Sequence, residues 1–492
     1  MTKKRKIIYI TIAAAIVIIA ALAIIFMPKA APQTVTEMLS TAQKYLVEMD
    51  YERAIAEFNK VIELDPMNAD AYLGLAEAYE KSGDIDKAVE TLEKGFELTG
   101  DERLQARIAM LNGENTDNAE VSETEASIDE TTAETEAPEE FITIKGEQYS
   151  TRLTELKLRN LELTDSDIKE LSKMTNLTYL DLWKNQVSDI SPLSELTNLT
   201  YLSLWENQVS DISALSELTN LTCLYLDFNQ ISDISALSKL TKLTKLSLGR
   251  NQISDINALS GLTNLMDLSL WGNKISDINA LSGLTNLMSL GLSDLQISDM
   301  SALSGLTNLT YLNLYENRIS DISTLSGLTN LTELYLGSNN IRDISVLSEL
   351  TSLTVLYLDE NQISDISALL GLTDLTELYL GSNQISDISA LSRLTNLTEL
   401  SLNVNQISDI SALSRLTNLT ELVLSVNQIS DISALSRLTN LTELNLNVNQ
   451  INDISALSGL TNLTDLSLEG NQIFESDIDS LKSVLPNCEI NY

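Results

Sequence analysis

Aromatic and acidic side chains recur in this sequence at intervals of 22 residues, and that spacing limits the chemistry they can do together. Just before Asn185, four positions alternate with leucines: Tyr179, Asp181, Trp183 and Lys184. The matching positions further along supply Tyr201, Trp205, Tyr225, Phe228, Trp271, Tyr311, Tyr315, Tyr335, Tyr357 and Tyr379. Together they take all three tryptophans and eight of the 15 tyrosines. Rings lined up on an exposed surface form a binding surface for a protein or a glycan. The competing reading is that neighbouring rings stack only to stabilise the sheet that carries them. Further on, one position holds Glu377, Glu399, Glu421, Glu443 and Asp465 in consecutive repeats. Like charges ~5 Å apart repel, so this column predicts a role in solubility or a cationic partner. Val404, Val426 and Val448 form a short apolar ladder nearby, and Arg393, Arg415 and Arg437 are expected on the rising flank, where they partly offset the acids. These last repeats are near-identical copies, so recent duplication also accounts for their pattern.

Other chemistries are excluded by composition. Histidine is absent, which removes histidine-based triads, imidazole zinc sites and histidine switches. Asp and Glu number 70 against 31 Lys and Arg, a net charge of −39, which argues against general nucleic-acid binding. An aspartate recurs from Asp189 to Asp453 where the chain re-enters a short turn. It predicts a backbone cap; the alternative is a carboxylate ladder for catalysis or metal. No nucleophile with its base, glycine-rich phosphate loop or metal-ligand cluster is legible, so neither an enzyme nor a cofactor is expected.

The element that must position the rings is a repeat. From residue 141 to 492 the sequence follows a 22-residue period, and of 14 equivalent positions from Asn185 to Asn471, 13 are Asn and one is Leu295. Leu180, Leu182 and Val187 alternate and then turn, so they point inward from a short strand and the bend after it. One such unit cannot bury its leucines alone, whereas stacked units share a core. The pattern Leu-x-x-Leu-x-Leu-x-x-Asn resembles the leucine-rich repeat in its 22-residue form, as found in bacterial internalin-type surface proteins. That resemblance implies an α/β solenoid, a curved right-handed array with a parallel concave sheet, and adhesion or host-protein binding as in some relatives.

Both ends read as closed. Leu153, Leu156 and Leu158 predict an off-register first strand, and Thr164-Asp165-Ser166-Asp167 a helix start before Ile168 and Leu171. Ser476-x-x-Asp479 predicts a last helix over Ile478, Leu481 and Leu485, stopped by Pro486. Cys223 and Cys488 are expected roughly 50 Å apart at ~4.8 Å per strand. A bridge needs Cα atoms within about 7 Å, so two free thiols are expected.

Ahead of the repeats, four cations at residues 3–6 precede 21 uncharged residues at 7–27, enough for an uncleaved transmembrane helix with a cytoplasmic N-terminus. A cleaved signal is the alternative, but the run is long for one and prolines flank its end. The remainder is expected outside the membrane. Residues 34–112 contain two copies of a 34-residue pattern, with Ala42/Ala76, Tyr45/Tyr79, Asp50/Asp84, Ala54/Ala88 and Phe58/Leu92 in step. They resemble tetratricopeptide repeats, which implies a small all-α module for a peptide or protein partner, or a stalk; Gly95 stands where that family has a small alanine. A third helix over 101–111 is expected to cap them. Residues 113–140 carry 11 acids and no cation and predict an extended spacer. Many copies of Asn-Leu-Thr would be glycosylated in a eukaryotic secretory route and obstruct packing, which favours a bacterial cell surface. The expected function is membrane-anchored recognition of a protein or glycan on the aromatic face. The alternative is an envelope scaffold in which the helical module recruits a membrane-complex partner and the solenoid is a spacer.

Overall fold

The computed structural model describes Ala42, residues 51–64, 68–82, 87–89, 91–92, 94–95, 104, 107 and 140–492. They belong to two compact units divided at residues 133 and 134. The expected span at 7–27 and the spacer at 113–139 lie outside the described residues. Among the described residues no helix is long and apolar enough to cross a membrane.

In the first unit, α1 (Tyr51–Leu64) packs on α2 (Ala69–Ser82). Asn68 starts α2, its side-chain oxygen accepting the Ala71 N–H at 3.1 Å. The residues paired at 34-residue spacing are buried in step: Ala42 with Ala76, Ala54 with Ala88, Phe58 with Leu92. Leu104, from the expected capping helix, joins Tyr72, Ala76 and Leu92 in one cluster. A Cβ at Gly95 would fall 2.6 Å from the Tyr72 ring. Tyr72 therefore takes the space that the usual alanine methyl would need.

The second unit opens with a hairpin that the sequence reading missed. β1 (Phe141–Ile144) pairs antiparallel with β2 (Glu147–Ser150). Lys145 and Gly146 turn the corner at φ +49° and +88°, the left-handed pair a two-residue hairpin needs. Ile142 and Ile144 point into the core. The signal was present in the alternation Phe-Ile-Thr-Ile before a Lys-Gly corner. Sixteen strands of three residues follow, β3 (Glu155–Lys157) to β18 (Glu489–Asn491), parallel and in chain order. Their central leucines are in register, Leu180 beside Leu202 and Leu202 beside Leu224. On the opposite side each unit makes a short 3-10 turn, such as Ser191–Glu195 or Ser213–Glu217.

Each unit inserts a column of aliphatic side chains between these layers. Leu196, Leu199, Leu202, Leu204, Val209, Ile212 and Leu215 are all buried, and their counterparts repeat the pattern to the end of the array. Burial leaves the backbone at the bend without water, and the asparagine supplies the missing partners. Asn229 Nδ2 donates to the carbonyls of Leu204 at 2.9 Å and Leu226 at 3.1 Å, and its Oδ1 accepts the Val209 N–H at 2.9 Å. Thus each asparagine ties its own bend to the preceding one.

The bend also requires a left-handed residue just before the asparagine. Position 184 and its equivalents have φ between +51° and +73° wherever they are described as positive, and only Gly272 and Gly470 among them are glycine. Val404, Val426 and Val448 adopt φ +53°, +58° and +54°. A β-branched side chain is strained there. The conformation is held by the ladder, since the Val426 N–H donates to the Asn447 carbonyl at 2.8 Å.

At the re-entry, the recurrent aspartate is a cap, as expected. Asp211 Oδ1 accepts the Ser213 N–H at 2.8 Å, and the same bond recurs at Asp387 and Ser389. The ends differ more from expectation. Thr164 and Asp167 form the capping box of α3 (Asp165–Ile168), and Leu156 and Leu158 are buried, but Leu153 is exposed. Helix α4 (Glu475–Val484) starts two residues earlier than predicted, after Phe474; Ser476 lies inside its first turn. Beyond Pro486 the chain adds β18, which continues the sheet and was not anticipated. Both cysteines are free, as expected.

Three outcomes follow from these bonds. Leu295 removes the oxygen that the Ile275 N–H would otherwise meet, so Leu295→Asn is expected to stabilise the array by about 1–3 kcal/mol, read as a higher urea midpoint. Val426→Asn should add about 1 kcal/mol in the same assay by relieving the left-handed valine. The third concerns acid. The carboxyls of Asp211, Asp387, Asp409 and Asp431 are held below the ordinary range by the backbone N–H, then the hydroxyl, of the serine two residues on. Their stabilisation is complete above the unfolded pKa of about 4 and is lost as pH falls through the lower folded values. The melting temperature is expected to drop below about pH 4, and Asp387→Asn, Asp409→Asn and Asp431→Asn combined should flatten that drop, because an amide oxygen caps without titrating.

Candidate recognition face

Alternation along each strand leaves two side chains on the sheet face, and the left-handed bend adds two more. The face therefore has four columns, those of Tyr179, Asp181, Trp183 and Lys184. The aromatic residues singled out from the sequence all fall in these columns, and the structure gathers most of them into two contacting runs.

The first run spans the early units. Tyr179 stacks on Tyr201 with centroids 4.1 Å apart, and Tyr201 meets Tyr225 at 5.6 Å. Beside them Trp183 meets Trp205 at 6.4 Å, Trp205 lies parallel to Phe228 at 6.3 Å, and Trp271 meets Phe228 edge-on at 5.4 Å. Trp183, Trp205 and Phe228 remain 37%, 41% and 41% exposed. Trp271 reaches Phe228 across two units because Gly249 lies between: a Cβ there would fall 2.0 Å from the indole nitrogen. Lys157 stands over the Tyr179 ring at 5.3 Å and Arg250 over Trp271 at 5.1 Å.

The second run is a tyrosine ladder. Tyr311, Tyr335, Tyr357 and Tyr379 follow at 5.4, 4.8 and 4.1 Å. Their hydroxyls donate to carboxylates of the next column: Tyr335 to Glu333 at 3.0 Å, Tyr357 to Glu377 at 3.4 Å and Tyr379 to Glu399 at 2.6 Å. Burial first, then these carboxylates, push the Tyr335 and Tyr379 phenols far up, so both remain donors. Tyr315 stands apart from the ladder and lies against Gly337. Rings therefore do stack on one another, yet they also remain accessible.

The acidic column is continuous. Glu377, Glu399, Glu421, Glu443 and Asp465 are direct neighbours on β13 (Glu377–Tyr379) to β17 (Asp465–Ser467). Burial, then Glu399 and Glu443 on either side, raise the Glu421 carboxyl. Arg393, Arg415 and Arg437 close the 3-10 turns on the far side of each unit, away from the strand column they were expected to offset. Val404, Val426 and Val448 are exposed in the Lys184 column, across the face from the acids.

Position on the sheet face does not guarantee exposure. Asp181, expected to be open, is only 2% exposed: Arg159 Nε donates to it at 2.6 Å and the Trp183 N–H at 3.0 Å. Asp227 is 4% exposed, and no periodic signal singles it out. Its Oδ1 accepts the Ser247 hydroxyl at 2.7 Å and the Gly249 N–H at 3.0 Å, while its Oδ2 has no partner. Burial raises its carboxyl, and hydrogen bonds from the Ser247 hydroxyl, the Gly249 and Asp227 backbone and the Trp271 indole pull it part of the way back. A separate groove of about 880 Å³ runs along the flank, where Met266 and Met288 interrupt a column of threonines. Among the described residues, no three His, Cys, Asp or Glu side chains converge to hold a metal.

Comparison with known proteins agrees with this architecture. The leucine-rich repeat family, in its two-copy form, matches residues 151–195, 197–239, 219–261, 241–283, 307–349, 351–393, 395–437 and 439–483. The tetratricopeptide repeat family matches residues 46–111. Among curated proteins none matches. Among solved structures, an internalin of Listeria monocytogenes is 37% identical, with a TM-score of 0.56 over 70% of this chain and 89% of that one. A leucine-rich repeat protein of Leptospira interrogans is 27% identical, with a TM-score of 0.65 over 70% and 90%. A repeat that buries seven aliphatic residues per coil and bonds each bend through an asparagine, matched over most of the array, places the chain in the leucine-rich repeat family, with a repeat domain similar to the internalins.

Proposed function

We propose that the chain is a recognition protein that captures a protein partner on the sheet face of its solenoid. The observation that carries this reading is the run Trp183, Trp205, Phe228 and Trp271, large rings left partly open to solvent although the core beneath is already filled by leucines. Aromatic side chains of this kind supply most of the affinity at protein interfaces. The tyrosine ladder and the acidic column continue the face toward the C-terminal units and suit a partner with cationic side chains. The likeness to an internalin supports the same assignment. A glycan ligand fits the aromatic rows less well than a protein, because the Tyr335, Tyr357 and Tyr379 hydroxyls are already engaged with carboxylates.

In this proposal the uncharged run at 7–27 holds the chain in a membrane, residues 113–140 space the solenoid away from it, and the recognition face works outside the cell. The helical module is a second, smaller docking element near the membrane. No enzymatic role is assigned.

The face is tested by screening the full chain against a panel of extracellular and surface proteins, then repeating the capture with Trp183→Ala, Trp205→Ala and Trp271→Ala combined. Capture is expected to fall by at least tenfold, since each anchor costs roughly 1–2 kcal/mol or more, while the circular dichroism spectrum and melting temperature stay close to those of the parent. Undiminished capture would place the partner elsewhere. Protease treatment of intact cells tests the topology; the repeat domain should be digested without lysis.

A further inference from the structure

The carboxylate of Asp227 has a charge that its structural task does not need. It lies in the same column as Trp183 and Trp205, between Trp205 and Gly249, with Phe228 next in the chain. Through Oδ1 it accepts the N–H of Gly249 in the following unit at 3.0 Å. In the same column near the other end, Asn447 Oδ1 accepts the N–H of Glu469 in its following unit at 2.7 Å. A neutral amide therefore performs this bond equally well. Asp227 keeps a second oxygen, Oδ2, buried and without a partner. An unpaired buried carboxylate is costly unless a cation or a proton comes to it.

Its surroundings favour a cation. Trp205, Phe228 and Trp271 form one contacting run beside it, Trp205 parallel to Phe228 and Phe228 edge-on to Trp271, whose indole nitrogen lies across Gly249 toward the carboxyl. Aromatic faces attract ammonium and guanidinium groups, most strongly where water is excluded. The same face already shows this chemistry, since Lys157 and Arg250 stand over Tyr179 and Trp271. Arg250 is turned toward Asp294, 3.6 Å away. A related set occurs in the reverse order further along. Tyr315, Gly337 and Asp359 occupy successive units of the same column; a Cβ at Gly337 would fall 2.7 Å from both the Tyr315 ring and Asp359 Oδ1, and that oxygen is again buried without a partner.

We propose that Asp227, walled by Trp205, Phe228 and Trp271, is a receptor for one cationic side chain of the partner, an arginine or lysine whose charge reaches the unpaired Oδ2. This rests on the sheet face being the recognition surface and names what that surface reads. Insertion displaces the Trp271 indole, which lies across Gly249 and hydrogen-bonds the Asp227 carboxyl.

All three tryptophans belong to this cluster, so the intrinsic fluorescence of the full chain reports on it directly. The chain is titrated with the capped peptide Gly-Arg-Gly and with the same peptide carrying citrulline, which keeps the shape and lacks the charge. The arginine peptide is expected to bind at least about tenfold tighter. In Asp227→Asn the two peptides should bind alike, with the melting temperature unchanged because the amide retains the bonds to Ser247 and Gly249. Phe228→Leu, which keeps apolar bulk without the ring, should also narrow the difference. Equal binding of the two peptides by the parent chain, no binding of either, or a preference that survives Asp227→Asn overturns the proposal. The two readings fail separately. Partner capture lost in the tryptophan variant but unchanged in Asp227→Asn discards the cation receptor alone; capture unchanged in both discards the face.

Discussion

A coil that buries its leucines must also bury the backbone that carries them, and the asparagine at the bend is what makes this tolerable. Each asparagine side chain satisfies carbonyls in two consecutive units and accepts an N–H from the earlier one. Without it, every unit would place unpaired peptide groups against a dry core, at a cost comparable to the gain from burying a leucine. Hydrophobic burial alone would give a collapsed stack without register. The amide ladder converts it into an array in which neighbouring bends are held at one separation.

That constraint propagates to the face. Because the bend is fixed, the residue before each asparagine must be left-handed whatever its type, and three valines accept the strain. Because the strands are in register, equivalent side chains fall into straight columns with neighbours about 5 Å apart. Rings in such columns must touch, and carboxylates in such columns must repel. The tyrosine ladder, the raised carboxyl of Glu421 and the paired aromatics of the early units are thus consequences of one geometry. Where a column contains glycine, a ring from the next unit can lie across the gap, as Trp271 does at Gly249. This is how a strictly periodic scaffold produces a local, aperiodic pocket.

The internalin-like fold was legible because its signals are periodic. The leucine pattern, the asparagine at 13 of 14 positions and the aspartate cap each repeat with the unit, and the structure places them as expected. The ends were less legible, since each occurs once. The hairpin at residues 141–150, the strand after Pro486 and the exposure of Leu153 depend on how the terminal units are covered, and a single short segment has no repeats to average over. The arginines were legible only as a recurring set: spacing shows that they recur together, and the turn geometry places each at the end of a 3-10 turn, where the chain starts back toward the strand.

The sequence by itself determined the repeat, its core, its bonding residue and the set of side chains that share the sheet face, because all of these follow from period and alternation. Only the tertiary structure decided which members of that set are covered and which are open. Asp181 is sealed by Arg159, whereas Asp227 is buried with an oxygen to spare. Both are aspartates on the same face at positions that alternation treats alike. Their difference arises from contacts between side chains in adjacent coils, 22 or 44 residues apart, and those depend on ring orientation and on the space left by a glycine, which no periodicity encodes.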